Sequence, residues 1–90
     1  HKGSIETAYT ILNGEYEVIE ADIIETSELI NQSLKDSSLP DEIRVGAVLR
    51  NGKVIIPRSD FIFKKKDTVV FLAKKDAISI VENLFRVSSI

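Results

Sequence analysis

The side chains that could carry chemistry are few and unevenly placed. Glu15, Glu17, Glu20, Asp22, Glu25 and Glu28 crowd one stretch. They offer oxygens for a hard cation but lack the Asp-x-Asp-x-Asp-Gly loop spacing that wraps calcium, and most fall on a predicted strand. Solvated strand charges are the simpler account. The single histidine is His1, at the terminus, and there is no cysteine. Ser-His-Asp, Cys-His and thiolate-metal arrangements therefore have no support. The glycines Gly3, Gly14, Gly46 and Gly52 form neither G-x-G-x-x-G nor a Walker motif, so a Rossmann-type dinucleotide site is not expected here. Lys64, Lys65 and Lys66 beside Phe61 and Phe63 could serve single-stranded nucleic acid. A solvated turn next to core aromatics explains them more simply. What remains is Arg44, Arg50 and Arg58, cations suited to an anionic ligand or an interface. Arg44 and Arg50 are expected on one side of their strand, opposite Ile43 and Val45, where acids such as Glu20 or Asp22 could meet them in the same chain or a second copy. Such surface pairs are worth about 0–1 kcal/mol each and would set register, leaving affinity to apolar contacts.

The elements that must position these residues follow from periodicity. Ile5, Thr7, Tyr9 and Ile11 alternate with their neighbours and predict a strand, closed by the Asn13-Gly14 turn signal. A second strand from Glu15 to about Ile24 places Ile19, Ala21 and Ile23 on one face and Val18, Glu20 and Asp22 on the other. Thr26-Ser27 reads as a helix start, with Leu29, Ile30 and Leu34 on one stripe up to Lys35, and Pro40 ends that segment. Ile43 to Arg50, the Asn51-Gly52 turn and Lys53 to Ile56 predict a second hairpin. Phe61-Ile62-Phe63 should pack as an extended segment on the core. Thr68 to Ala73 is almost wholly apolar and predicts a central strand buried on both faces. Asp76 is the expected cap of a last helix whose stripe is Ala77, Ile78, Ile80, Val81, Leu84 and Phe85.

The expected fold class is α+β: a mostly antiparallel β-sheet with two helices packed on one face, preceded by an N-terminal β-hairpin strand. Residues 1–14 form a lead-in strand and turn, and residues 15–90 the domain proper. Net charge is −2, but residues 1–45 hold ten acids against three bases and residues 46–90 nine bases against four acids. Two solvated faces are the simple reading, and attraction between opposite ends across a subunit interface is the sharper one. The acidic half argues against nucleic acid. No apolar run approaches the ~20 residues that span a bilayer, so no direct membrane insertion is expected. The opening His1-Lys2-Gly3, without an initiator methionine, reads as a piece of a longer protein. On residues alone this is a binding or interaction domain and not an enzyme.

From Leu39-Pro40 onward the order of motifs resembles the TrkA C-terminal domain, also called the C-terminal RCK domain. The match runs through Ile43-Arg44-Val45-Gly46-Ala47-Val48-Leu49-Arg50, Ile55-Ile56-Pro57, Asp67-Thr68-Val69-Val70-Phe71 and Val81-Glu82-Asn83-Leu84-Phe85. Gly14 to Glu20 resembles the family's Gly-x-x-Glu-x-x-Glu stretch. Asn31 replaces a usual glycine, and Lys66-Asp67 replaces a Gly-Asp turn, which implies either no positive φ at Lys66 or some strain. The resemblance implies a regulatory cytoplasmic domain, peripheral to the inner membrane through a potassium transporter subunit, that joins subunits as a homodimer and transmits nucleotide-driven gating. NAD or ATP would bind a missing upstream domain, with no cofactor in this fragment. The alternative is a sensor at a dimer cleft for a nucleotide or cyclic di-AMP, using Arg44, Arg50 or Arg58. Relatives that bind cyclic di-AMP carry Arg and Asn where this chain has Pro40 and Arg44, which weakens that alternative.

Overall fold

The computed structural model describes residues 5–85; His1 lies outside them. Five strands make one antiparallel sheet: β1 (Ile5–Ile11), β2 (Tyr16–Asp22), β3 (Ile43–Arg50), β4 (Lys53–Ile55) and β5 (Thr68–Lys74). Their order across the sheet is β1-β2-β5-β3-β4. The apolar β5 thus lies in the middle, hydrogen-bonded to β2 on one side and β3 on the other. A 3-10 turn at Lys75–Ala77 leads into helix α1 (Ile78–Phe85).

One face of the sheet carries the core. Ile19 and Ala21 on β2, Val69, Phe71 and Ala73 on β5, and Ile43 and Val48 on β3 are buried there. Helix α1 lays Val81, Leu84 and Phe85 against them, and Phe85 stacks on Phe71 with ring centroids 5.4 Å apart. The predicted stripe of this helix is therefore the one that packs, although Ile80 stays largely exposed. Asp76 is not the cap: it sits in the 3-10 turn, where Lys74 holds the cap position without a side-chain hydrogen bond.

The sheet carries one helix among the described residues, and the first predicted helix is absent. Residues 24–37 form a chain of tight turns, with Ser27 NH bonded to Ile24 O, Ile30 NH to Ser27 O and Gln32 NH to Leu29 O. Asn31 takes φ +63 at the position where the resemblance expects glycine, and this breaks a right-handed helix. The amides that a helix would use are spent on a neighbour instead. Asn31 NH bonds Phe63 O, Leu34 NH bonds Phe61 O and Lys35 NH bonds Ser59 O, all at 2.8–2.9 Å. Leu29 and Phe63 are buried in this layer, so the apolar stripe read as helical is used, but by turns. Ser27 fastens the layer to α1, since its hydroxyl and the Glu28 amide both donate to the Leu84 carbonyl. That satisfies an acceptor which a helix C-terminus leaves without an internal partner.

The two hairpin turns differ. Asn51 and Gly52 take φ +53 and +76 with Arg50 paired to Lys53, the expected two-residue turn. The first turn spreads over Leu12 to Glu15, with positive φ at Leu12, Asn13 and Gly14, so β1 ends and β2 begins one residue away from the Asn-Gly expectation.

Lys66 takes φ +76. A side-chain-bearing residue there costs roughly 1 kcal/mol. Lys66→Gly should raise stability by at most about 0.5 kcal/mol once glycine's larger chain entropy is offset. Lys66→Val should lower it, and calorimetric unfolding midpoints of the two variants read the difference directly.

Candidate functional site

An extra residue in β3 decides where its arginines go. Val45 pairs with Phe71 and Ala47 with Val70, so Gly46 is left over as a bulge. A Cβ at Gly46 would meet only the Val70 carbonyl, at an ordinary 3.7 Å, so crowding is not the reason for the glycine. The bulge reverses the in-out phase of the strand. Ile43 and Val45 point to the core before it, and Val48 does so after it. Arg50 therefore joins the core side, while Arg44 stays on the opposite face. The expectation that Arg44 and Arg50 share one side, opposite Ile43 and Val45, is thus corrected: an unbroken alternation cannot include a bulge.

Arg50 reaches the turn that starts β5. Its Nε donates to Asp67 Oδ1 at 2.7 Å, and its Nη2 donates to Oδ2 at 2.7 Å and to the Ile62 carbonyl at 2.9 Å. The Lys64 amide donates to Oδ2 at 2.8 Å. The guanidinium lies 4.8 Å from the centroid of the Phe61 ring, which meets Phe63 edge-on. Asp67 is 1% exposed and the Arg50 side chain 30%. Donation to the Asp67 carboxylate raises the Arg50 pKa above its ordinary value, burial opposes this, and the Coulombic attraction adds to it. A cation with a raised folded pKa contributes fully below its unfolded pKa and loses that contribution only as pH climbs through the folded value. For this guanidinium that happens only in strongly alkaline solution. The chemistry available to Arg50 is structural, because its fork is closed on a carboxylate and a carbonyl.

Arg58 is exposed on the segment after β4, and its carbonyl accepts from the Phe61 amide. The three arginines thus occupy three different surroundings. Where β2 ends and β5 begins, a cleft of about 530 Å³ is lined by Asp22, Ile23, Ile24, Glu25, Lys65, Lys66 and Thr68. Its charges are of both signs, and Asp22 Oδ1 accepts from the Thr68 hydroxyl at 2.8 Å. No group of three His, Cys, Asp or Glu residues among those described is placed to hold a metal.

The second sheet face is the more unusual feature. Tyr9, Ile11, Tyr16, Val18, Val70, Leu72, Ala47, Leu49 and Val54 follow one another across it by strand register. Tyr9 is 68% and Val54 67% exposed, and Ile56, just beyond β4, is 72% exposed. The expectation that β5 is buried on both faces is corrected. Val69, Phe71 and Ala73 are buried, while Leu72 is exposed and Val70 only half-buried. The strand has the composition of a doubly covered strand, and the described residues cover it on one side. Sequence reasoning missed Asp67 as the partner of Arg50. The signal that could have found it was an acid placed immediately before an apolar strand, one turn after Lys64.

Arg50→Ala should destabilise the domain by about 3 kcal/mol, because the buried carboxylate keeps only an amide donor. A double-mutant cycle with Asp67→Asn, read by urea unfolding, should give a coupling on the order of 2 kcal/mol; near-zero coupling would mean that the pair does not hold the turn.

No helix among the described residues is long and apolar enough to cross a membrane. The family model for the TrkA-C domain matches residues 18–86, which take in β2 through α1. The chain is 44% identical over 87 residues to the Trk system potassium uptake protein TrkA of Azorhizobium caulinodans, covering 97% of this chain and 19% of that protein. It is 32% identical over 92 residues to the TrkA of Haemophilus influenzae, covering 98% of this chain and 20% of the relative. It is 29% identical over 83 residues to a TrkA homolog of Archaeoglobus fulgidus, covering 92% of this chain and 19% of that one. The chain therefore spans about a fifth of the length of these relatives. With the model match running from the second strand through the closing helix, this chain belongs to the TrkA-C domain family.

Proposed function

We propose that this domain is a non-catalytic regulatory module of a Trk-type potassium-uptake system. It joins subunits as a homodimer and passes a nucleotide-driven change to a membrane transporter subunit on the cytoplasmic side of the inner membrane. NAD or ATP binds elsewhere, in an upstream domain. The observation that carries this reading is the second face, where no described residue gives a central apolar strand the cover its composition calls for. A module that transmits force needs a stiff body as well as a contact surface. The Arg50–Asp67 pair and the turn layer locked to α1 supply that stiffness. The small-ligand sensor is less favoured, because Arg50 is spent on Asp67, Arg44 lies on the opposite face of the sheet and Arg58 sits on the segment after β4.

Exchanging the matching segment of the Azorhizobium caulinodans TrkA for this domain tests the reading. In cells that lack their own Trk regulator, the chimera should support regulated rubidium uptake. A TrkA truncated before the segment should lose the regulation. A chimera that behaves like the truncation would overturn the proposal.

A further inference from the structure

The first strand is attached to the domain differently from the others. β1 is an outer strand that pairs with β2, and it lies outside the family match, which begins at Val18 within β2. No described side chain of β1 is buried in the core, and Ile5 only packs against its rim. The register sets Thr7 level with the buried Ile19 and Thr10 level with Glu17, and both threonines are exposed. The core layer therefore stops at β2. What holds β1 is the backbone ladder, interrupted by a bulge between Thr7 and Tyr9, and an exposed hydrogen bond from the Thr7 hydroxyl to Glu17 Oε1. The turn that joins the two strands is strained: Leu12 takes φ +53, yet it is 64% exposed, so packing gives back little for that strain. Without β1, β2 would still pair with β5 from Tyr16 to Asp22.

From this attachment we propose that β1 is a releasable strap. It leaves β2 whole, hinging at Leu12–Gly14, while the remaining four strands and α1 stay folded. Release exposes little apolar surface and relieves the strained turn, so it costs far less than opening the core. By chain order, a pull arriving from ahead of the domain reaches β1 before any other described element. Docking or release of the strap is then the step by which an upstream change enters this domain. The inference rests on the regulatory reading above and names the element that moves; it is a two-state element of the kind that coupling between sites requires.

Hydrogen exchange of the 90-residue chain tests the release itself. The β1 amides bonded to β2 should exchange together, about a hundredfold or more faster than Val69 and Phe71. Protection equal to that of β5, or protection that climbs steadily from Ile5 to Ile11 as in end fraying, overturns the strap. A staple tests its role. The register pairs Glu6 with Glu20, and the chain has no cysteine of its own, so Glu6→Cys with Glu20→Cys can join β1 to β2. In proteoliposomes holding the transporter subunit and the chimera described above, oxidising this pair should cut the nucleotide response of rubidium flux by about fivefold or more. Reductant should restore it, and each single-cysteine variant should keep it throughout. If the oxidised staple, verified by mass, leaves the response unchanged, the strap is overturned while the regulatory reading stands. A chimera without cysteines that shows no nucleotide response overturns the reading and the strap together.

Discussion

The bidentate contact between Arg50 and Asp67 is the constraint on which the other features depend. A buried carboxylate without a partner is costly, so Asp67 can sit 1% exposed only where a cation and amides converge on it. Three segments meet at that point: the end of β3 through Arg50, the Phe61–Lys64 stretch through the Ile62 carbonyl and Lys64 amide, and the start of β5 through Asp67 itself. Ile23, just after β2, joins through its amide to the Asp67 carbonyl. The pair depends in turn on the bulge at Gly46, which brings Arg50 to the core side and leaves Arg44 on the other.

The turn layer takes its shape from the same point. The stretch around Phe61 and Phe63 is held by Arg50, and it then serves as the acceptor row for Asn31, Leu34 and Lys35. A free helix over residues 26–35 would have kept those amides for itself. Nearby tethered carbonyls and a left-handed Asn31 make turns the better solution. Ser27 closes the layer by satisfying the last turn of α1. The domain is thus rigid on one side of its sheet and unfinished on the other. A surface of that kind fits a module that transmits a change through contact with another body.

Much of this was legible in the residues. Alternation marks β1, β2 and β3, the Asn51-Gly52 turn marks β4, apolar composition marks β5, and the stripe of α1 identifies the face that packs. Ile19, Ala21 and Ile23, which share one face by alternation, are all buried. The failures share a cause, which is that pairing partners override local pattern. Ile43 to Arg50 alternates without a break, so nothing local reveals the bulge; only its pairing with β5 does. Leu29, Ile30 and Leu34 have helical spacing, yet the amides of Asn31, Leu34 and Lys35 are claimed by the segment around Ser59, Phe61 and Phe63, far away in sequence. The apolar Thr68–Ala73 run predicts a cover on both sides, and the described residues supply one. Composition records that a cover is needed but not whether it comes from the same chain.

Native-state hydrogen exchange on the unmodified chain tests most directly whether the Arg50–Asp67 contact ties the turn layer to the sheet. If it does, the amides of Asn31, Leu34, Phe63 and Lys64 should exchange as one unit, with nearly the same protection as Val69 and Phe71 at the centre of β5. Free exchange of those four amides while β5 stays protected would show the layer opening on its own, and the contact could not then be what holds the domain together.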